Sequence, residues 1–455
     1  MDLKDRLVDL AEDVADVQPP VGLWDTEVRR RARARRDTVV VALVATLAIV
    51  GLLVGDWRAS RQPSPANPGR ETSMPDRVWR PSPWLPGTDA AGELGALTAL
   101  LPTERGGWLG NHPGIVGLAA ATGEYRFLDL PGYAGEGCAL SSDGRRVAYW
   151  AWGTSSGQPH DRAGAVTAIA VYDTVTGAVQ RAEIATVHGI DPSDIAFVDP
   201  DTVVAFMWQH KGGYGSSVDD QSFSFDAPPL VWHLDRPEAE ELSLVSEADG
   251  LMAAGDGRLW LGGARGKRTF LMSMAESGDQ STRVVLMPFT GNGTVGNASP
   301  GVISSRGDRL AVMGSPHARL DAPAPITVYF LTAGRPCCQM SRVPLSRNTW
   351  AVTGWLPDGD LVVLGTDLSA KLGGSSPAHL YSLDVETGAR RELVTFDGDV
   401  WSASDWIWAT GLLGSRAAAG VRPPSPWDPR VTTGLVLVVV LGAALVVRRL
   451  RRRRG

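Results

Sequence analysis

The sequence predicts an all-β protein, a β-propeller of seven blades, alternatively six, flanked by two transmembrane α-helices. Three observations predict it. A strand–turn–strand pattern recurs at intervals of roughly fifty to sixty residues, the span of a blade of four short strands. Helical periodicity is nearly absent between residues 95 and 414. An uncharged apolar run of 17 residues stands outside each end of that region. With 455 residues, 44% of them hydrophobic, the chain can bury a sizeable core.

The apolar runs are Thr38 to Val54, "TVVVALVATLAIVGLLV", and Val431 to Val447, "VTTGLVLVVVLGAALVV". Each reaches the short end of what crosses a bilayer as an upright helix. Arginines 29, 30, 31, 33, 35 and 36 precede the first run, and arginines 448, 449 and 451 to 454 follow the second. Positive charge stays on the cytoplasmic side of a span, so this distribution predicts both termini in the cytoplasm and everything between the runs outside. Trp57 and Trp427 lie just beyond the outer ends of the runs, where aromatic rings prefer the interface. The long segment before the first run, and the absence of a small-x-small site in "GDWRASRQ", argue for a signal anchor rather than a cleaved leader. Only four of 44 basic residues are lysines, a skew that points to a high-GC bacterial genome and hence a bacterial cell membrane.

Charge excludes one class of partner. The part between the runs holds 30 basic and 41 acidic residues, a net charge near −11. A nucleic-acid binder needs a basic face, and here the dense basic blocks sit against the expected membrane surface, where anionic headgroups attract them. The expected partners are the lipid bilayer and a protein; nucleic acid is not among them.

The expected order is a cytoplasmic segment (1–37), a span (38–54), a proline-rich linker (55–94), the propeller (95–414), a second such linker (415–430), a span (431–447) and a basic tail (448–455). Proline-rich linkers are stiff and extended, and read as stalks. The repeat appears as "CALSSDGRRVAYW" from Cys138, "IAFVDPDTVVAFMW" from Ile195, "MAAGDGRLWLGG" from Met252, "VISSRGDRLAVMG" from Val302 and "TGWLPDGDLVVLG" from Thr353, with turns near Asp143, Asp201, Asp256, Asp308 and Asp358. "TALLPTERGGWLG" from Thr98 aligns with the copy from Thr353, and "WSASDWIWATGLL" from Trp401 offers a last strand pair turning near Asp405, which makes seven units. Outer halves follow in Ala168–Ile184, Ile326–Leu345 and His379–Phe396, where glycine-containing turns separate β-branched runs. A closed ring brings its first and last strands together, so both stalks are expected to leave from neighbouring points.

"LSSDGRRVAYW" followed by "AIAVYDTVTGAVQR" resembles the Ser-Pro-Asp-Gly blade pattern of TolB-like and WD-repeat-like β-propellers, with Ser142 at the usual proline position. The resemblance covers about residues 98 to 413. It implies the fold of a membrane-anchored bacterial propeller and leaves the partner open.

Motifs of catalysis and metal binding are weak. "GTSSG", Gly153 to Gly157, fits the Gly-x-Ser-x-Gly nucleophile pattern at Ser155, but it follows a blade strand and enters a polar loop holding His160 and Asp161, whereas a nucleophile elbow lies between strand and helix. The seven histidines (112, 160, 188, 210, 233, 317, 379) have no metal-ligand spacing. "DPSD" (Asp191–Asp194), "VDD" (Val218–Asp220) and "FDGD" (Phe396–Asp399) lack the calcium-loop pattern and read as solvated turns. No catalytic, cofactor-binding or metal-ligating residue is therefore assigned, and no cofactor is expected. Of the three cysteines, Cys138 reads as a buried apolar residue, and Cys337–Cys338 as a free pair or a vicinal disulfide. "NGT" at Asn292 and "NAS" at Asn297 match glycosylation sequons and read as loop residues.

Two surfaces remain. Gly51 and Gly55 form a small-xxx-small pair that would let the second span pack closely. Leu3, Leu7, Leu10, Val14 and Val17 form one helical stripe ended by Pro19 and Pro20, a face for a cytoplasmic partner. The leading functional expectation is a membrane-tethered extracytoplasmic binding or scaffold module for a protein or small ligand, without catalysis. Signalling through the N-terminal helix is the first alternative, and an enzyme with His, Asp or Arg residues converging in the propeller funnel is the second.

Overall fold

A computed structural model describes residues 72–215, 223–224, 228–242, 248–255, 258–265, 268–275, 283–287, 302–304, 308–313, 326–330, 339–343, 349–366, 377–398, 403–426 and 428–452. Strands β1 (Ser73–Pro75) and β2 (Arg77–Trp79) and a helical turn α1 (Thr88–Ala91) precede β3 (Leu97–Gly107), β4 (Gly110–Ala119) and β5 (Tyr125–Leu128). A meander follows in β6 (Tyr133–Leu140), β7 (Arg146–Gly153), β8 (Ala165–Asp173) and β9 (Val179–Glu183). The next sheet holds β10 (Ile190–Asp199), β11 (Thr202–His210), β12 (Phe223–Ser224), β13 (Leu230–His233) and β14 (Glu240–Glu241). Two further meanders are β15 (Ala248–Gly255) to β18 (Arg283–Met287), through β16 (Arg258–Arg265) and β17 (Arg268–Ala275), and β19 (Val302–Ile303) to β22 (Gln339–Arg342), through β20 (Arg309–Met313) and β21 (Ile326–Phe330). The last comprises β23 (Thr349–Trp355), β24 (Leu361–Thr366), β25 (Ala378–Leu383) and β26 (Arg390–Asp397), after which come β27 (Ile407–Trp408), β28 (Arg416–Ala418) and the helix α2 (Pro429–Arg452).

Each meander is an antiparallel sheet whose first strand lies against the first strand of the next, from β6 through β10, β15 and β19 to β23. Closure is made by the chain ends. Strand β27 pairs with β3, so the C-terminal strand becomes the innermost strand of the sheet β27-β3-β4-β5 and touches β6. The expected units from Thr98 and Trp401 thus share one sheet, and the described residues form six propeller-type sheets. Leu97–Gly107 is one strand that turns only at Trp108–Leu109, and among the described residues Ala403–Leu413 contributes one short strand instead of a pair.

Apolar side chains alternate along the strands and fill the space between consecutive sheets. Leu100, Ile115, Val147 and Tyr149 join the closing sheet to the next, Trp150, Ile169, Val203 and Trp232 continue the series, and Ala311, Val328, Val363 and Leu383 do the same farther on. Side chains such as Trp150 and Trp232, almost wholly removed from water, each contribute on the order of 2–3 kcal/mol. Cys138 belongs to the first of these layers, beside Val147 and Tyr149, and burial pushes its thiol up to about 12.

The Asp-Gly turns are built as their residues require. In Ser141–Arg146 the Ser141 hydroxyl donates to Asp143 at 2.6 Å and accepts from the Arg146 N–H at 2.9 Å, while Gly144 takes φ of +73°. A Cβ on Gly144 would fall on the Leu97 carbonyl of the preceding sheet. Ser304 and Asp308 repeat the same hydroxyl–carboxylate bond at 2.7 Å. The arginine after each of these turns reaches the next sheet's turn: Arg146 donates to the Pro200 carbonyl at 2.6 Å and pairs with Asp201, and Arg309 donates to the Gly359 carbonyl at 3.1 Å.

Residues 72–94, read from sequence as linker, fold onto the sheets. Strand β2 lies parallel to β26, Met74, Val78, Leu85 and Leu94 are buried, and the buried Arg126 donates to the carbonyls of Ala91 and Gly92 at 2.8 and 2.6 Å. Proline suits such edge positions because it has no N–H to leave unpaired. Strand β28, within the second expected linker, pairs in parallel with β1.

The described residues fall into two units, and α2 belongs to the second, Trp427–Gly455. It takes in the run Val431–Val447 and the first arginines after it. Among the described residues no helix is long and apolar enough to cross a membrane. Thr38–Val54, Trp57, Trp427, Gly51, Gly55 and the stripe Leu3, Leu7, Leu10, Val14 and Val17 lie outside the described residues, as do Asn292, Asn297, His317, Cys337 and Cys338.

Candidate ligand-binding face

Strands alternate in direction across a meander, so second-to-third strand connections and sheet-to-sheet connections emerge on one face. The loops after β7, β9 and β11 meet there. Loop 154–164 is stitched to loop 184–189 by Ser156 N–H to the Thr186 carbonyl (3.1 Å), Gly157 N–H to the Val187 carbonyl (2.8 Å) and His160 N–H to the His188 carbonyl (2.8 Å). Tyr214 N–H donates to the Pro159 carbonyl at 2.7 Å, and Arg162 stacks over the Tyr214 ring at 4.5 Å, which braces the third loop.

This stitching gathers three histidines that lie far apart in sequence. His160 and His210 stack with ring centroids 3.8 Å apart and planes 5° from parallel. His160 Nδ1 lies 3.0 Å from the Gly212 carbonyl and His188 Nδ1 2.8 Å from that of Gln158, and since a carbonyl oxygen only accepts, each Nδ1 is the donor. Burial, with His160 and His188 nearby, lowers His210 to about 4, so it is neutral at physiological pH. Asp191, at the start of the inner strand β10, has its carboxyl held above the ordinary range, chiefly by burial and then by Glu136; His160 acts in the opposite direction. The patch is half-buried and polar, suited to a polar ligand or loop. Among the described residues no group of three His, Cys, Asp or Glu side chains is placed to hold a metal ion.

On the same face the hairpin β3–β4 projects beyond its sheet. Its tip is the pair Trp108 and Leu109, 63% and 105% exposed. Below the tip the hairpin is braced: Gly106 N–H donates to the Pro83 carbonyl at 2.8 Å, the Trp84 ring packs against Gly106, and Pro113 lies against Gly135.

The chain ends leave on the opposite face. Ser73 N–H donates at 2.9 Å to the Ala120 carbonyl, beyond the end of the third strand β4. Gly420 N–H donates to Asp76 at 2.8 Å, and Val421 packs on Gly123 in the β4–β5 turn. With Ser73 opposite Arg416 in parallel register, the two ends run side by side.

No family model matches this chain, and no curated protein does. Similar solved structures include TolB from Acinetobacter baumannii, at 14% identity and a TM-score of 0.38 over 68% of this chain and 66% of that one. The β-propeller domain of the Trilobed protease from Pyrococcus furiosus is 12% identical, with a TM-score of 0.34 over 56% of this chain and 69% of the domain. Pyrococcus horikoshii acylaminoacyl peptidase is 13% identical, with a TM-score of 0.37 over 65% of this chain and 43% of that one. The chain thus spans just under two thirds of the TolB length and less than half of the peptidase. The propeller assignment rests on the sheet order above.

The sequence motifs fall variously. Ser155 lies between the antiparallel strands β7 and β8, and its hydroxyl donates to the Gly157 carbonyl at 2.9 Å. "DPSD" is not a turn: Asp191–Asp194 lies within β10, at a register irregularity opposite Met207. His233 bonds Thr202 at 3.3 Å on neighbouring strands, and His379 lies 3.4 Å from Glu392. Sequence reasoning missed the histidine cluster because local spacing carries no trace of it. The available signal was positional, since His160, His188 and His210 each fall in or beside a connection on the same face.

Proposed function

We propose that this chain is a membrane-tethered extracytoplasmic six-bladed propeller that binds a protein or small ligand on its loop face and performs no catalysis. The observation that carries the reading is that both ends of the propeller leave side by side from the face opposite the loops. With each end leading through a proline-rich stretch to a 17-residue uncharged run flanked by arginines, a tether at that face turns the His160–His188–His210 loops and the Trp108 tip away from the bilayer. A braced Trp-Leu tip on the same face as a polar half-buried patch supplies an aromatic anchor and polar groups, the make-up of a binding hot spot.

The test is site-specific photocrosslinking in intact cells, with the photoreactive residue at Trp108, at Tyr214 or, on the opposite face, at Thr122. The binding reading expects discrete adducts of the same mass from Trp108 and Tyr214 and none of that mass from Thr122. Adducts from Thr122 alone would reverse the assigned face, and no discrete adduct at any position would remove the binding role.

A further inference from the structure

The end of the "FDGD" stretch that is described, Phe396 to Gly398, was read from sequence as a solvated turn, yet it forms one wall of a cavity. The cavity, of about 80 Å³, lies where the closing sheet meets the last meander. Among its lining residues are the aromatic side chains Trp79, Phe396 and Trp406 and the charged residues Arg80, Asp397 and Asp405.

The aromatic walls are held in place by their neighbours. Trp406 meets Tyr125 edge-on, with centroids 6.4 Å apart and planes at 85°, and tilts against Trp408 at 6.3 Å. Phe396 meets Trp408 edge-on at 6.0 Å. Trp79 is tied down by its backbone N–H, which donates to the Tyr125 hydroxyl at 3.2 Å. The π-faces of aromatic rings attract cations. The charged lining residues sum to −1, so the cavity matches one positive charge. Partial burial holds the Asp405 carboxyl above its ordinary range.

We propose that this cavity binds a small organic monocation, a methylated ammonium group, between Trp79, Phe396 and Trp406, with Asp397 and Asp405 as its counter-charge. A metal ion fits less well, because two carboxylates alone leave coordination unfilled. The site is independent of the histidine patch and of the Trp108 tip, so its failure would leave the loop-face reading standing.

The test uses the full chain in a non-ionic detergent, titrated calorimetrically with choline and with its neutral isostere 3,3-dimethylbutan-1-ol. Choline is expected to bind, and the isostere to bind at least about tenfold more weakly. Asp405→Asn and Asp397→Asn are each expected to weaken choline by about fivefold with no change in melting temperature, and Trp406→Phe to weaken it less than Trp406→Leu. Equal affinities for choline and the isostere would reduce the site to an apolar void. No binding of either by a chain with an unaltered melting transition would overturn the proposal, as would unchanged choline affinity in both asparagine variants.

Discussion

Gly144 shows how a single atom is excluded at a blade turn. Its φ of +73° is open to glycine, and a methyl group there would fall on the Leu97 carbonyl of the adjoining sheet. Gly144→Ala is therefore expected to destabilise the propeller by ~3 kcal/mol or more, read as a lower midpoint in urea; a change below ~1 kcal/mol would contradict this account of the turn. The clamp beyond the turn is milder. Arg146→Ala loses a carbonyl bond and a largely solvated ion pair, and is expected to cost about 1 kcal/mol. The glycine was legible in "SSDG", because Asp-Gly pairs between apolar runs mark turns. The role of Arg146 was not, because it depends on which sheet stands beside it.

At the scale of elements, the histidine loops carry a pH dependence whose sign follows from His210. Its folded value of about 4 lies below the ordinary 6.5, so between those values the unfolded chain binds a proton that the folded chain does not. Stability contributed here is present above that window and is lost as pH falls through it. His160, His188 and Asp161 act on the group and set the background. The wild-type melting temperature is expected to fall more steeply than that of His210→Gln as pH drops from 6.5 towards 4; parallel curves would remove His210 as the cause. Strand β3 shows why elements at the ring closure were misread. Pro102 with "ERGG" after it has the chemistry of a turn, yet Pro102 pairs opposite Ile115 within a strand. On its other side β27 covers only Ala99 and Leu100, so Pro102 stands on an open edge where no N–H is required. The interior repeats, with both neighbours in sequence order, were legible; the closing sheet, assembled from residues some three hundred positions apart, was not.

At the scale of the molecule, the closing strand and the parallel pair β1–β28 make both chain ends part of one architecture. Removing β27 by truncation before Ala403 is expected to open the ring and expose the layers around Leu100, Ile115 and Phe396, giving dye binding typical of exposed apolar surface; an undiminished melting transition in that variant would contradict closure by this strand. The neighbourly exit of the two ends was legible from the repeat alone, since any closed ring demands it. Which face they leave from required the register of β1 against β28 and of Ser73 against Ala120.

An outward-facing propeller on a double tether fixes the side of the membrane on which each residue stands, and cysteine labelling in intact cells reads that side. In a background with Cys138→Ala, Cys337→Ser and Cys338→Ser, single cysteines are placed as Trp108→Cys, Asp5→Cys or Arg453→Cys and treated with a membrane-impermeant maleimide. The account predicts labelling of Trp108→Cys in intact cells, and of the other two only after the membrane is permeabilised. Labelling of Asp5→Cys or Arg453→Cys in intact cells, or protection of Trp108→Cys until permeabilisation, would contradict it.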